Sequence, residues 1–219
     1  MQNKIRLFLF VLVSLVGFTG CQSVPQFSDS ASAVNAPEGA TVLFNGQDLS
    51  GWKVTPWTYA GPVEVENGQL ILNEGHECTG VTWEGDFPIS NYEVELDAKR
   101  VEGMDFFCGL TFPVGDEPCS LIIGGWGGST LGLSSIDGLD AAHNETQKLM
   151  DFVNDRWYHI KLRVTDEKIE AWIDGDQIVD FTIGNHTLSI RMEVLWSQPF
   201  GVCSWRTTAA IKDFWLRKI

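Results

Sequence analysis

Tyr92-Glu93-Val94-Glu95-Leu96-Asp97-Ala98-Lys99 alternates strictly between apolar and charged residues. Successive side chains of a strand point to opposite faces, so this stretch predicts a half-buried strand with its apolar face in a core and four charges toward water. Tyr158 to Val164 repeats the arrangement, with Tyr158, Ile160, Leu162 and Val164 on one face and His159, Lys161 and Arg163 on the other. Ile169-Glu170-Ala171-Trp172-Ile173-Asp174-Gly175-Asp176 then reads as a strand and a turn, with Gln177 to Ile183 as the returning strand. Many short strands separated by turn signals, without a long helical period or an internal repeat, predict an all-β fold of two antiparallel sheets, a sandwich or a jelly roll.

Upstream of this pattern the chain reads as a leader and a tether. Lys4 and Arg6 make a basic start, Leu7 to Val16 is an apolar run broken by Ser14, and Phe18-Thr19-Gly20-Cys21 has the form of a lipobox cleaved before the cysteine. The run is shorter than the about 20 apolar residues that span a bilayer. Residues 1–20 are therefore expected to be removed, leaving Cys21 as an acylated first residue and a lipid anchor as the only membrane attachment. Gln22, in place of an acidic residue, resembles the sorting pattern of outer-membrane lipoproteins; a plain secretory signal with a free cysteine is the alternative. Residues 21–37 are too polar to fold, and residues 38–219 suit one domain, with 44% of the chain hydrophobic. Loss of Lys4 and Arg6 moves the net charge from −14 to −16. Such acidity argues against nucleic acid and against adhesion to anionic lipid. Cys78, Cys108, Cys119 and Cys203 lack metal-type spacing and form either two disulfides or buried free thiols.

Two stretches could carry chemistry. In Ile190-Arg191-Met192-Glu193-Val194-Leu195-Trp196-Ser197, strand periodicity would put Arg191, Glu193 and Ser197 on one face and Ile190, Met192, Val194 and Trp196 on the other. On an inner concave sheet this sets a guanidinium and a carboxylate about 7 Å apart along a groove floor. On an outer sheet they are solvated or ion-paired charges. The second stretch, Ser134 to Thr146, gathers Asp137, Asp140, His143, Asn144 and Glu145 after the glycine-rich Gly124 to Gly132. Its oxygen ligands could hold calcium or another divalent metal, although the spacing is not that of an EF-hand, and a polar surface loop is the alternative. Trp126, Trp196 and Trp205 could stack on sugar faces, and with Ser197, Asp137 and Asn144 they are the substrate-binding candidates.

Leu43-Phe44-Asn45-Gly46-Gln47-Asp48-Leu49-Ser50-Gly51-Trp52 reads as an irregular turn built on Asn45-Gly46, both at positive φ, before Trp52 enters apolar surface. Together with Trp157 to Phe181 and Ile211-Lys212-Asp213-Phe214-Trp215-Leu216-Arg217, this string resembles the 3-keto-disaccharide hydrolase domain of secreted and lipid-anchored bacterial proteins. The resemblance covers roughly Glu38 to Ile219. The middle, Phe106 to Phe112 and Cys119 to Gly128, departs from commoner members and marks a divergent branch.

The resemblance implies a concanavalin-like jelly roll, of the lectin and glucanase type, acting on a carbohydrate oxidised at C3 by a partner sugar oxidoreductase. The C2 proton of such a ketone is acidic, so a base can remove it while the C1 substituent departs. Residue chemistry, with no family motif matched by position, makes Glu193 the base, Arg191 the enolate stabiliser and His143 or Glu145 the acid. A divalent metal could take the place of Arg191. A non-catalytic carbohydrate-binding module is the runner-up, and a structural lipoprotein of the envelope the third reading.

Overall fold

The computed structural model describes residues 36–219. The leader, the lipobox-like Phe18 to Cys21 and most of the tether lie outside the described residues. The strands are β1 (Thr41–Val42), β2 (Trp52–Val54), β3 (Val63–Glu66), β4 (Gln69–Leu72), β5 (Cys78–Trp83), β6 (Tyr92–Gly103), β7 (Cys108–Val114) and β8 (Glu117–Gly125). They continue as β9 (Thr130–Ser134), β10 (Lys148–Leu149), β11 (Tyr158–Val164), β12 (Lys168–Ile173), β13 (Asp176–Thr182), β14 (Gly201–Trp205) and β15 (Thr207–Lys218). An eight-stranded sheet runs β13-β12-β11-β6-β15-β4-β3 with β1 also on β15, and a seven-stranded sheet runs β10-β9-β8-β7-β14-β5-β2. All pairings are antiparallel, which makes the molecule the expected jelly-roll sandwich.

The two alternating stretches fold as read. Tyr92, Val94, Leu96 and Ala98 of β6 and Tyr158, Ile160, Leu162 and Val164 of β11 are fully buried between the sheets. They face Cys108, Leu110 and Phe112 of β7 and Cys119, Leu121 and Ile123 of β8 in one core. Asp174-Gly175, with φ of 51° and 89°, turns β12 into β13, and Asn67-Gly68, with φ of 51° and 77°, does the same for β3 and β4.

Two expectations are corrected. Asn45-Gly46 is not a paired positive-φ turn: Gly46 alone has positive φ, and Asn45 Oδ1 accepts bonds from Gln47 N and Asp48 N in an Asx turn. Trp52 does enter the core, its indole donating to Leu43 O at 2.7 Å. Glu93 does not face water: its side chain has no exposed surface, because Lys161, Arg163 and Arg217 close over its carboxylate. Burial pushes its pKa up, but those hydrogen bonds outweigh it and bring the group down to about 2. The four cysteines are free and buried. Cys108 and Cys119 point into the apolar core, whereas Cys78 and Cys203 sit together on the opposite face of the seven-stranded sheet.

Candidate functional site

Alternation along the seven-stranded sheet sets Cys78, Gly80 and Thr82 of β5, Gly109 and Thr111 of β7, Ser120 and Ile122 of β8, and Gly201 and Cys203 of β14 away from the core. This face is carpeted with small residues because two elements lie directly on it. A Cβ on Gly109 would come within 2.9 Å of the Phe106 ring, and one on Gly201 within 2.7 Å of Ser197 O.

The second covering element is a short 3-10 helix, Met192–Ser197, where the sequence predicted a strand. Its period of about three residues replaces the expected period of two. Val194 and Ser197 are buried, Met192 and Trp196 are exposed, and Ser197 is separated from Arg191 and Glu193. Two distant donors fix the segment: Trp57 Nε1 bonds Glu193 O at 2.8 Å, and Thr82 Oγ1 bonds Trp196 O at 2.9 Å.

Arg191 and Glu193 nevertheless meet, with Arg191 Nη2 donating to Glu193 Oε1 at 2.7 Å. They close one side of a cavity of about 220 Å³ whose lining includes Trp126, Trp205, Phe106, Asp105 and Ser134. The hydrogen bond from Arg191 holds the Glu193 carboxyl below its ordinary value against burial and the Asp140 charge. Arg191 is raised in turn, first by the same bond. The Cys78 thiol on the cavity floor is pushed far up by its hydrogen bond with Cys203 and by burial, so it stays neutral. Ser134 Oγ, also on the lining, is buried with no hydrogen-bond partner in the protein.

Asp105 escaped the sequence reading. It follows β6 at a loop, Gly103-Met104-Asp105-Phe106, whose only sequence signal is a carboxylate between a glycine and an aromatic residue. Asp105 Oδ1 accepts from Phe106 N at 2.8 Å and Oδ2 from Gly127 N at 3.3 Å, tying this loop to the turn that carries Trp126. Behind both stands Arg100, buried and held by Asn154 Oδ1 and Phe152 O. Gly128 is required there, since a Cβ would fall 2.9 Å from Arg100 Nη1 and 2.8 Å from Met104 O.

The remaining candidates disperse. His143 Nδ1 lies 2.6 Å from Asp140 Oδ1, and Asp140 Oδ2 accepts from Arg191 Nη1 at 2.9 Å, so His143 reaches the cavity through Asp140. Glu145 lines a separate groove with His186, whose ring is 2.6 Å from Asp137 Oδ2. Asn144 donates to Leu133 O, Leu139 O and Asp140 O, which makes it the staple of its loop. Trp196 stands outside the cavity lining, exposed. The loop carboxylates are spent on these contacts, and among the described residues no group of three or more His, Cys, Asp or Glu could hold a metal ion.

Residues 39–217 match the family described as the 3-keto-alpha-glucoside-1,2-lyase-like domain. No curated protein matches the sequence. Among solved structures, a proposed glycosyl hydrolase from Parabacteroides distasonis is 19% identical with a TM-score of 0.52, over 83% of this chain and 94% of that one. A Bacillus subtilis protein of unknown function with a galectin-like fold is 14% identical with a TM-score of 0.59, over 82% and 94%. The carbohydrate-binding module CBM66 from Bacillus subtilis is 14% identical with a TM-score of 0.51, over 77% and 96%. At these identities the likeness is one of fold.

Proposed function

We propose a function from the premise that this chain belongs to the 3-keto-alpha-glucoside-1,2-lyase-like domain family: it is a carbohydrate-active protein that cleaves glycosides of a 3-keto sugar. The observation that carries this reading is the Arg191–Glu193 pair on the wall of a cavity flanked by Trp126 and Trp205. Two indoles supply sugar-stacking faces, Asp105 accepts sugar hydroxyls, and the unpartnered Ser134 Oγ offers another hydrogen bond. The cavity of about 220 Å³ suits a single ring, because the 3-10 helix and Phe106 cover the rest of the sheet face.

In that setting Glu193 takes the C2 proton, and the electron pair moves onto the C3 carbonyl oxygen, where Arg191 stabilises the enolate. Collapse of the enolate forms the C1–C2 double bond as the C1–oxygen bond breaks. The leaving oxygen collects a proton, for which the newly protonated Glu193 is the acid nearest the reaction. Addition of water across the double bond completes net hydrolysis. His143 is too far removed behind Asp140 for the acid role, and Glu145 faces another groove.

A binding module remains the second reading, favoured by one observation: Arg191 holds Glu193 low, which weakens it as a base. Incubation with a 3-keto glucoside and its parent glucoside, each deuterated at C2, separates the two. The enzyme releases aglycone from the ketone alone and loses the deuterium; retention of deuterium during cleavage rules out elimination, and binding of the parent with no cleavage of either supports the module. For location we propose an exported lipoprotein anchored through Cys21 to the outer membrane, on the strength of the lipobox-like Phe18 to Cys21. Its substrate would come from a sugar oxidoreductase that makes the C3 ketone.

A further inference from the structure

We propose that Asp140 is a positioning residue that spreads the Arg191 fork over two carboxylates and so leaves one oxygen of Glu193 open to substrate. The catalytic part of this inference rests on the proposed function.

Asp140 is well placed for the task. It sits on the loop between β9 and β10, 51 residues before Arg191. One of its oxygens takes Arg191 Nη1 at 2.9 Å; the other takes Ala142 N at 3.1 Å and contacts His143 Nδ1 at 2.6 Å. Its backbone is pinned as well, with Asp140 O accepting from Asn144 Nδ2 at 2.9 Å. The side chain is 14% exposed, which strengthens these contacts relative to open solvent. Arg191 then meets Glu193 through Nη2 alone, at Oε1 and 2.7 Å, rather than across both carboxylate oxygens.

A guanidinium facing one carboxylate prefers to bind both of its oxygens in parallel. Were Asp140 uncharged, Arg191 could close on Glu193 in that manner, occupy Oε2 and hold the carboxylate still more firmly ionised. The other groups facing Glu193 do not offset this. Cys78 on β5 is a neutral thiol, Trp57 donates to the Glu193 backbone, Asp105 belongs to the same cavity from the β6–β7 loop, and His143 acts through Asp140. The negative charge of Asp140 raises the Glu193 carboxyl, in the direction a base requires.

The test compares the whole protein with Asp140→Asn, which keeps an acceptor for Ala142 N, and with Asp140→Glu, which keeps the charge. Carboxyl NMR titration follows Glu193, and pH profiles of kcat/KM follow a methyl 3-keto glucoside. Asp140→Asn should lower the Glu193 midpoint and the acid limb by roughly half a unit or more, with kcat/KM down about tenfold. Asp140→Glu should return the midpoint to within roughly 0.2 unit. An unmoved midpoint in Asp140→Asn, or a midpoint that shifts equally in Asp140→Glu, overturns the proposal and leaves Asp140 a loop staple. If the wild type turns over no 3-keto glycoside, the proposed function fails while the titration still decides the role of Asp140.

Discussion

Glu93 Oε1 lies 2.8 Å from Lys161 Nζ, and no part of the Glu93 side chain is open to solvent. Cations from β11 and β15 thus neutralise a carboxylate on the face of β6 turned away from the core. Lys161 and Arg163 also lie over the Trp172 ring, and Arg217 over the Trp215 ring.

Replacing Glu93 by Gln takes from Arg217 its carboxylate partner, while Lys161 and Arg163 keep Glu95 and Glu170. Because these cations are partly exposed, the cost should fall below the about 3–5 kcal/mol typical of breaking a fully buried pair. The sign with pH follows from a folded-state value of about 2 against the ordinary 4.5. The group's contribution is fully present above 4.5 and is lost as pH falls through 2. Thermal melts from pH 6 to 2.5 should show a constant gap between wild type and Glu93→Gln above about pH 5 that narrows below about pH 4. A gap independent of pH would contradict the assignment.

Glu193→Gln removes the proposed base while keeping an acceptor for Arg191. Turnover of a 3-keto glucoside should fall by roughly 10² or more, with the melting temperature within a few degrees of wild type. Strong destabilisation with unchanged turnover in the folded fraction would make the pair structural.

Gly201→Ala tests the covered face of the sheet. The added methyl meets Ser197 O at 2.7 Å and Val81 O at 2.9 Å, both backbone atoms that cannot swing aside. A cost of about 1–3 kcal/mol is expected, as for overpacking elsewhere. Displacement of the 3-10 helix should also lower kcat/KM more than the stability loss explains, since that helix carries Glu193; chemical denaturation and kinetics on one preparation separate the two.

Cys21→Ser should abolish acylation and release the protein from membranes. Mass spectrometry of the wild-type mature chain checks the premise: an unmodified, freely soluble form starting elsewhere would rule out the lipoprotein.

The strands were legible because burial on one face writes a period of two into β6 and β11, and Asp174-Gly175 announces its own turn. The burial of Glu93 was not, since Arg163 and Arg217 arrive from 70 and 124 residues away. Nor was the 3-10 helix. Ile190 to Ser197 alternates as a strand does, and what overrides the pattern is the pair of donors Trp57 and Thr82, 136 and 114 residues distant. Arg191 and Glu193 were found for the right residue chemistry and the wrong local geometry, since a tight turn also brings i and i+2 side chains together when a third group holds one of them. Asp105 had no periodic signature at all, because its role is to join two loops.

The carpet of glycine, serine and cysteine beneath the 3-10 helix has a consequence for how such a protein can change. Along β8, Cys119, Leu121 and Ile123 belong to the sandwich interior, and the intervening Ser120 and Ile122 belong to the ligand side. Stability and reach are therefore spelled in alternate letters of the same strands. Keeping the floor small while trimming the cover beyond Glu193 opens the cavity into a trough for longer chains without touching the interior, so relatives sharing this core can diverge in the length of glycan they admit.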